Sequence, residues 1–166
     1  MKKVLFLIIP FLIIGCNQSH SYQNVGDIPF DKLKDNISFK ICDEANIKQY
    51  YVRKSSDKPS SYLGEKKGLE NTILDKYFFP KTEKENGYLT LRFIVNCKGE
   101  SGRFRVEEMD YKFKPFNFDK KITEQLLKIV KNLNKWIPRR GENKEFDFYQ
   151  YLTFKIKNGQ IIKILP

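Results

Sequence analysis

Residues 89–97 read Leu-Thr-Leu-Arg-Phe-Ile-Val-Asn-Cys, with Leu89, Leu91, Phe93, Val95 and Cys97 at every second position. Successive side chains of a strand point to opposite faces, so this period commits the segment to a half-buried strand. Such a strand needs partners along its edges and a layer over its apolar face. Ile94 is the one apolar residue on the otherwise polar side formed by Tyr88, Thr90, Arg92 and Asn96.

The neighbouring sequence supplies those partners. Lys98-Gly99-Glu100-Ser101-Gly102 is turn chemistry, and residues 103–109 return as a second strand with Phe104 and Val106 inward. Beyond Pro115, Asn117 or Asp119 can cap a helix in which Ile122, Leu126, Ile129, Val130, Leu133 and Ile137 recur at intervals of three and four. Trp136-Ile137-Pro138 closes it, with Trp136 expected on the face that covers the sheet. Residues 146–156 form a long strand with Phe148, Leu152, Phe154 and Ile156 on one face, leaving Tyr149 and Tyr151 outward. Asn158-Gly159 is a two-residue hairpin signal that folds residues 160–165 back along that strand. Upstream, residues 37–42 and 47–53 read as a short strand pair around the turn Asp43-Glu44-Ala45-Asn46. Leu69, Ile73 and Tyr77 predict a helix over residues 69–78 that Pro80 ends. The fold class is α+β, an antiparallel sheet with a strand-strand-helix-strand core preceded by the short strand pair and a helix.

The N-terminus carries an address. Lys2 and Lys3 precede an apolar run over residues 4–14, and Leu12-Ile13-Ile14-Gly15-Cys16 resembles the bacterial lipobox. A spanning helix needs roughly 20 apolar residues, so this run is too short to serve as one. The resemblance implies that residues 1–15 are a cleaved lipoprotein signal peptide and that Cys16 is acylated. Asn17 follows Cys16 where inner-membrane retention in some bacteria uses aspartate, which points to the outer membrane, on its periplasmic or surface face. Residues 16–36, polar and containing Gly26 and Pro29, read as a tether, and residues 37–166 as a single domain.

Charge and cysteine usage agree with export. Removing residues 1–15 lowers the net charge from +11 to +9, and lysine outnumbers arginine 25 to 6. Clustered arginines with stacking aromatics, expected of a nucleic-acid binder, occur only at Arg139-Arg140 and Arg103-Phe104-Arg105, so nucleic acid is not an expected partner. With Cys16 lipidated, Cys42 and Cys97 remain, and a single pair in an oxidising compartment implies a disulfide; two inert buried thiols are the alternative. The one histidine, His20, lies in the tether, so no metal or cofactor is expected and Ser-His-Asp or Cys-His catalysis has no base. Glu107, Glu108 and Asp110 are neighbouring carboxylates on which a hydrolase reading could rest, but adjacent strand residues face opposite ways, so only Glu108 and Asp110 share a face. No catalytic residue is assigned.

Tyr88-Leu89 through Asn96-Cys97-Lys98-Gly99, the returning strand, the helix closing in Lys135-Trp136-Ile137-Pro138, Gly141 and Tyr151-Leu152-Thr153-Phe154 together resemble the C-terminal domain of TonB-like proteins over residues 87–156. The resemblance implies a non-enzymatic module of a Gram-negative envelope that binds another envelope protein or peptide as an added strand. A lipid anchor and a short tether replace the inner-membrane helix and long Pro-rich spacer of TonB itself. Residues 160–165 would occupy one sheet edge, so strand capture needs the other edge free or this strand detached. A structural or surface lipoprotein without peptide capture is the alternative.

Overall fold

The computed structural model describes residues 26–49, 62–79, 84–140 and 145–165. Cys16, the signal segment, Tyr50 to Arg53 and Gly141 lie outside them. Chain order is α1 (Glu65–Leu74), β1 (Gly87–Val95), β2 (Ser101–Met109), α2 (Lys120–Lys131), β3 (Arg139–Arg140), β4 (Glu145–Phe146), β5 (Phe148–Lys157) and β6 (Gln160–Leu165). The architecture is α+β: a four-stranded antiparallel sheet of order β2-β1-β5-β6, with β3 and β4 forming a separate two-stranded ribbon.

The period-two pattern is what the sheet uses. Leu89, Leu91, Phe93 and Val95 face Phe154, Leu152, Gln150 and Phe148 of β5 in register, and all but Gln150 belong to one apolar core. Over that face lie Ile122, Leu126, Ile129 and Val130 of α2 and Leu69 and Ile73 of α1. Asp119 caps α2 by accepting from the Lys121 N–H at 2.8 Å. The last hairpin turns at Asn158 and Gly159, whose φ values of 52° and 80° are the left-handed pair such a turn demands.

Several expectations need correction. Helix α2 ends at Lys131 rather than at Trp136. Trp136 is still buried, but from an extended segment bridged to Tyr62, and Ile137 is exposed. Helix α1 starts four residues earlier and stops before Tyr77, which instead sends its hydroxyl to the Gly159 carbonyl at 2.7 Å.

The expected strand pair over residues 37–42 and 47–53 does not form among the described residues. Residues 37–42 are irregular, Glu44–Asn46 make one 3-10 turn, and Lys48 makes a single parallel bridge to Phe148. The physical reason is location. This segment crosses a face of the sheet rather than running along an edge, so backbone groups of Lys40, Cys42 and Asp43 bond the side chains of Asn96 and Asp147, which flank β1 and β5.

The tether also ends sooner than expected. From Gly26 onward the chain is packed, with Ile28 buried against Ile94 and Tyr149 and joined by Phe39, Ile41 and Ile47. Residues 26–49 thus form a strap over the outer face, and Ile94, the apolar exception in the strand pattern, sits beneath it. Gly102 permits its close approach: a Cβ there would lie 2.3 Å from the Phe39 ring.

Candidate binding surfaces and the clamped outer face

Three arginines on the outer face hold the strap. Arg92 donates to the Gly26 carbonyl at 2.6 Å, and Arg105 donates to the Pro29 carbonyl at 2.6 Å. Arg105 also makes a two-pronged pair with Asp35 at 2.7 and 2.9 Å, and Arg103 pairs with Glu44. Arg103 reaches the strap because β2 bulges opposite Phe93, where its own φ is 54°. Asn96 adds a bond from its amide nitrogen to the Lys40 carbonyl at 2.9 Å.

Arg105 holds the Asp35 carboxyl below the usual carboxylate range, against the opposing effect of burial and with help from the Asp31 N–H. A folded-state pKa below the unfolded one stabilises fully above about pH 4, and that contribution is lost as pH falls through the folded value. Acidification is therefore expected to lower the amide-exchange protection of residues 31–39, measured against the intrinsic rate at each pH, before the main core opens. Asp35→Asn should give the same loss of protection at neutral pH, and unchanged protection in either case would separate the pair from the strap's stability.

Cys42 and Cys97 are disulfide-bonded, with Cα atoms 6.2 Å apart, joining the strap to the turn after β1. Beside them lies Asp147, which is fully buried and was not singled out from sequence. Its carboxylate accepts from the N–H groups of Asp43 at 2.7 Å, Cys42 at 3.0 Å and Cys97 at 3.0 Å. The two sulfurs and this carboxylate cluster closely enough to suggest a metal site, but the sulfurs are bonded to each other and the carboxylate is engaged by the three N–H groups. Asp147→Asn keeps one acceptor oxygen and turns an NH2 toward the other donors. We expect it to cost about 2 kcal/mol in denaturant unfolding, near the range for leaving such donors unsatisfied.

The carboxylates considered for catalysis are engaged separately. Glu107 pairs with Arg92 at 2.5 Å, Glu108 accepts from the Thr123 hydroxyl, and Asp110 accepts from the N–H groups of Lys112 and Lys114. Those N–H bonds hold the Asp110 pKa down. Tyr149 and Tyr151, expected to be outward, do face away from the main core but lie under the strap. Tyr149 is buried and donates to Asp27, and Tyr151 bonds Gln49. Burial pushes the Tyr149 hydroxyl pKa up, with Asp27 adding to the effect.

Among the described residues nothing covers the other half of that face and one edge. Tyr88 stacks on Phe113 at 5.6 Å and meets Tyr111 edge-on at 5.4 Å, with Lys155 over both tyrosines. At the edges the two strands differ. On β2, the Glu108 carbonyl accepts from the Phe116 N–H and the Phe104 carbonyl from the Arg105 side chain. On β6, Ile161 and Ile164 are buried in the main core, whereas the backbone on the side away from β5 bonds nothing among the described residues. No helix among the described residues is long and apolar enough to cross a membrane.

Comparison with models of known protein families, with curated proteins and with solved structures finds no match to this chain.

Proposed function

We propose that the protein is a lipoprotein of the Gram-negative cell envelope, acylated at Cys16 and held on the outer membrane, whose domain binds an extended segment of another envelope protein and carries out no chemistry. Over residues 87–156 the order β1, β2, α2, β5, with the two-residue strands β3 and β4 set between α2 and β5, is consistent with the strand-strand-helix-strand order expected of TonB-like C-terminal domains and supports the kinship. The observation that carries the binding reading is the outer backbone of β6, unpaired among the described residues, a template to which an extended peptide can add as a fifth strand.

This moves capture one strand outward. A core of β1, β2, α2 and β5 alone would leave the far edge of β5 open to an added strand, but here β6 covers that edge. Detaching β6 would expose Ile161 and Ile164, each worth about 1.5–3 kcal/mol of burial, so addition to β6 is favoured over its displacement.

The test is a photo-crosslinking residue at Ile162, half exposed on β6, in growing cells. It should capture a defined envelope protein, and the same residue at Lys128 on α2 should not. Mass spectrometry of the mature N-terminus checks the anchor: Cys16 should be the first residue and carry acyl chains.

One observation favours the alternative, a structural lipoprotein without peptide capture. Strand β6 bulges at Ile162 and exposes Lys163, and both features discourage strand addition. An empty crosslink at Ile162 in cells with acylated protein would select it.

A further inference from the structure

The strap has two sides. Ile28, Phe39, Ile41 and Ile47 turn to the sheet, whereas Phe30, Leu33 and Ile37 are 44%, 96% and 78% exposed. The exposed side chains are presented from built turns. Asp31 accepts from the Leu33 N–H through its side chain and from the Lys34 and Asp35 N–H groups through its carbonyl. Asn36 accepts from the Ser38 N–H at 2.9 Å, and the Arg105–Asp35 pair fixes this stretch to β2.

Charge divides the same way. Asp35 and Glu44 are taken up by Arg105 and Arg103 on the sheet, and Asp31 lies against Lys34. Lys32 and Lys40 are exposed to solvent beside the apolar side chains. Large apolar groups interspersed with lysines suit a surface that is anionic at its rim and hydrocarbon beneath, which is a membrane leaflet containing anionic lipid.

Position in the chain favours that occupant over a protein. Gly26 follows Cys16 by ten residues, a length that spans about 35 Å at most when fully extended. An acyl chain at Cys16 therefore keeps the strap close to the headgroups, where even a weak contact is populated through its high effective concentration.

We infer that Phe30, Leu33 and Ile37, with Lys32 and Lys40, dock the strap on the anionic leaflet in which Cys16 is anchored. The inference rests on the acylation proposed above. Docking through the strap engages the β2 side of the sheet and leaves β6 at the opposite edge.

The experiment uses the mature acylated protein in phosphatidylcholine vesicles with and without phosphatidylglycerol, and in detergent. Flotation with the vesicles reads the anchor, and amide exchange over residues 30–40 reads the docking. Exchange should slow several-fold in the phosphatidylglycerol vesicles, and the protection should weaken with added salt. Leu33→Glu with Ile37→Glu should abolish it without lowering the melting temperature, because both residues are exposed.

Protein that floats but exchanges equally in all three media overturns the docking and leaves the anchor standing. Protection that appears in detergent and grows with protein concentration indicates a second copy on the strap and also overturns it. If Cys16 carries no acyl chain, the unacylated protein is sedimented with the same vesicles: binding that depends on phosphatidylglycerol supports the docking surface, and its absence overturns it.

Discussion

Replacing Trp136 with alanine is expected to destabilise the domain by about 3–5 kcal/mol, the usual cost of emptying a large aromatic site in a packed core. The indole is 6% exposed, lies 5.1 Å from the Tyr62 ring and 5.3 Å from Phe93, and Phe93 in turn stacks on Phe104. Four rings in contact leave little room for collapse, because each is fixed from a different element. Tyr62 is anchored before α1, Phe93 and Phe104 on paired strands, and Trp136 in the segment after α2. Trp136→Phe should cost less than the alanine change, since the indole N–H finds no acceptor among the described residues and its loss removes no bond. Urea unfolding of the two variants checks both statements. Equal losses would mean that the indole nitrogen contributes more than its geometry indicates.

Removing the disulfide is expected to cost a similar amount. The bridge spans a sequence separation of 55, for which chain entropy predicts about 4 kcal/mol. Cys42→Ser with Cys97→Ser should lower the denaturant midpoint accordingly, and a thiol reductant should do the same to the native protein. The loss should also be uneven. The bridge joins the strap to the end of β1, while the main core of α1, α2 and the sheet interior has no part in it. Amide exchange over residues 39–49 should therefore rise more than exchange in β1 or β5. A midpoint unmoved by reduction would show that Asp147 and the three arginines hold the strap without help from the covalent link.

What could be read from the sequence was whatever repeats over a short distance. The alternation in β1, the three-and-four spacing from Ile122 to Val130 and the Asn158-Gly159 turn are local patterns set by backbone geometry, and each lies where it was expected. The disulfide followed from counting cysteines in a chain expected to be exported. The strap could not be read this way. Its residues show no period because their positions are fixed by partners far along the chain, such as Cys42 bonding Asp147 across 105 residues. Asp147 looked like one acid among twenty, and only its neighbours in space single it out. Two local signals were available. Ile94 broke the polar side of a regular strand, and arginines at 92, 103 and 105 concentrated half of the chain's six in two adjacent strands. Trp136 was rightly placed in the core but on the wrong element, because the distance from Leu133 fits helix and extended chain alike.

The strap's dependence on distant partners also sets the order in which the molecule can assemble. The Lys48 N–H bonds the Asp147 carbonyl, the Tyr149 N–H bonds the Lys48 carbonyl, and the arginine clamps wait on β1 and β2. The clamps need the β1–β2 hairpin and the Lys48 bonds need the start of β5, so the segment nearest the proposed anchor precedes in the chain every strand that holds it. Closing such long loops before any contact rewards them is slow. If the chain is exported as proposed, such a delay keeps it threadable during the crossing, and Cys42 meets Cys97 only after the strap has docked on the sheet.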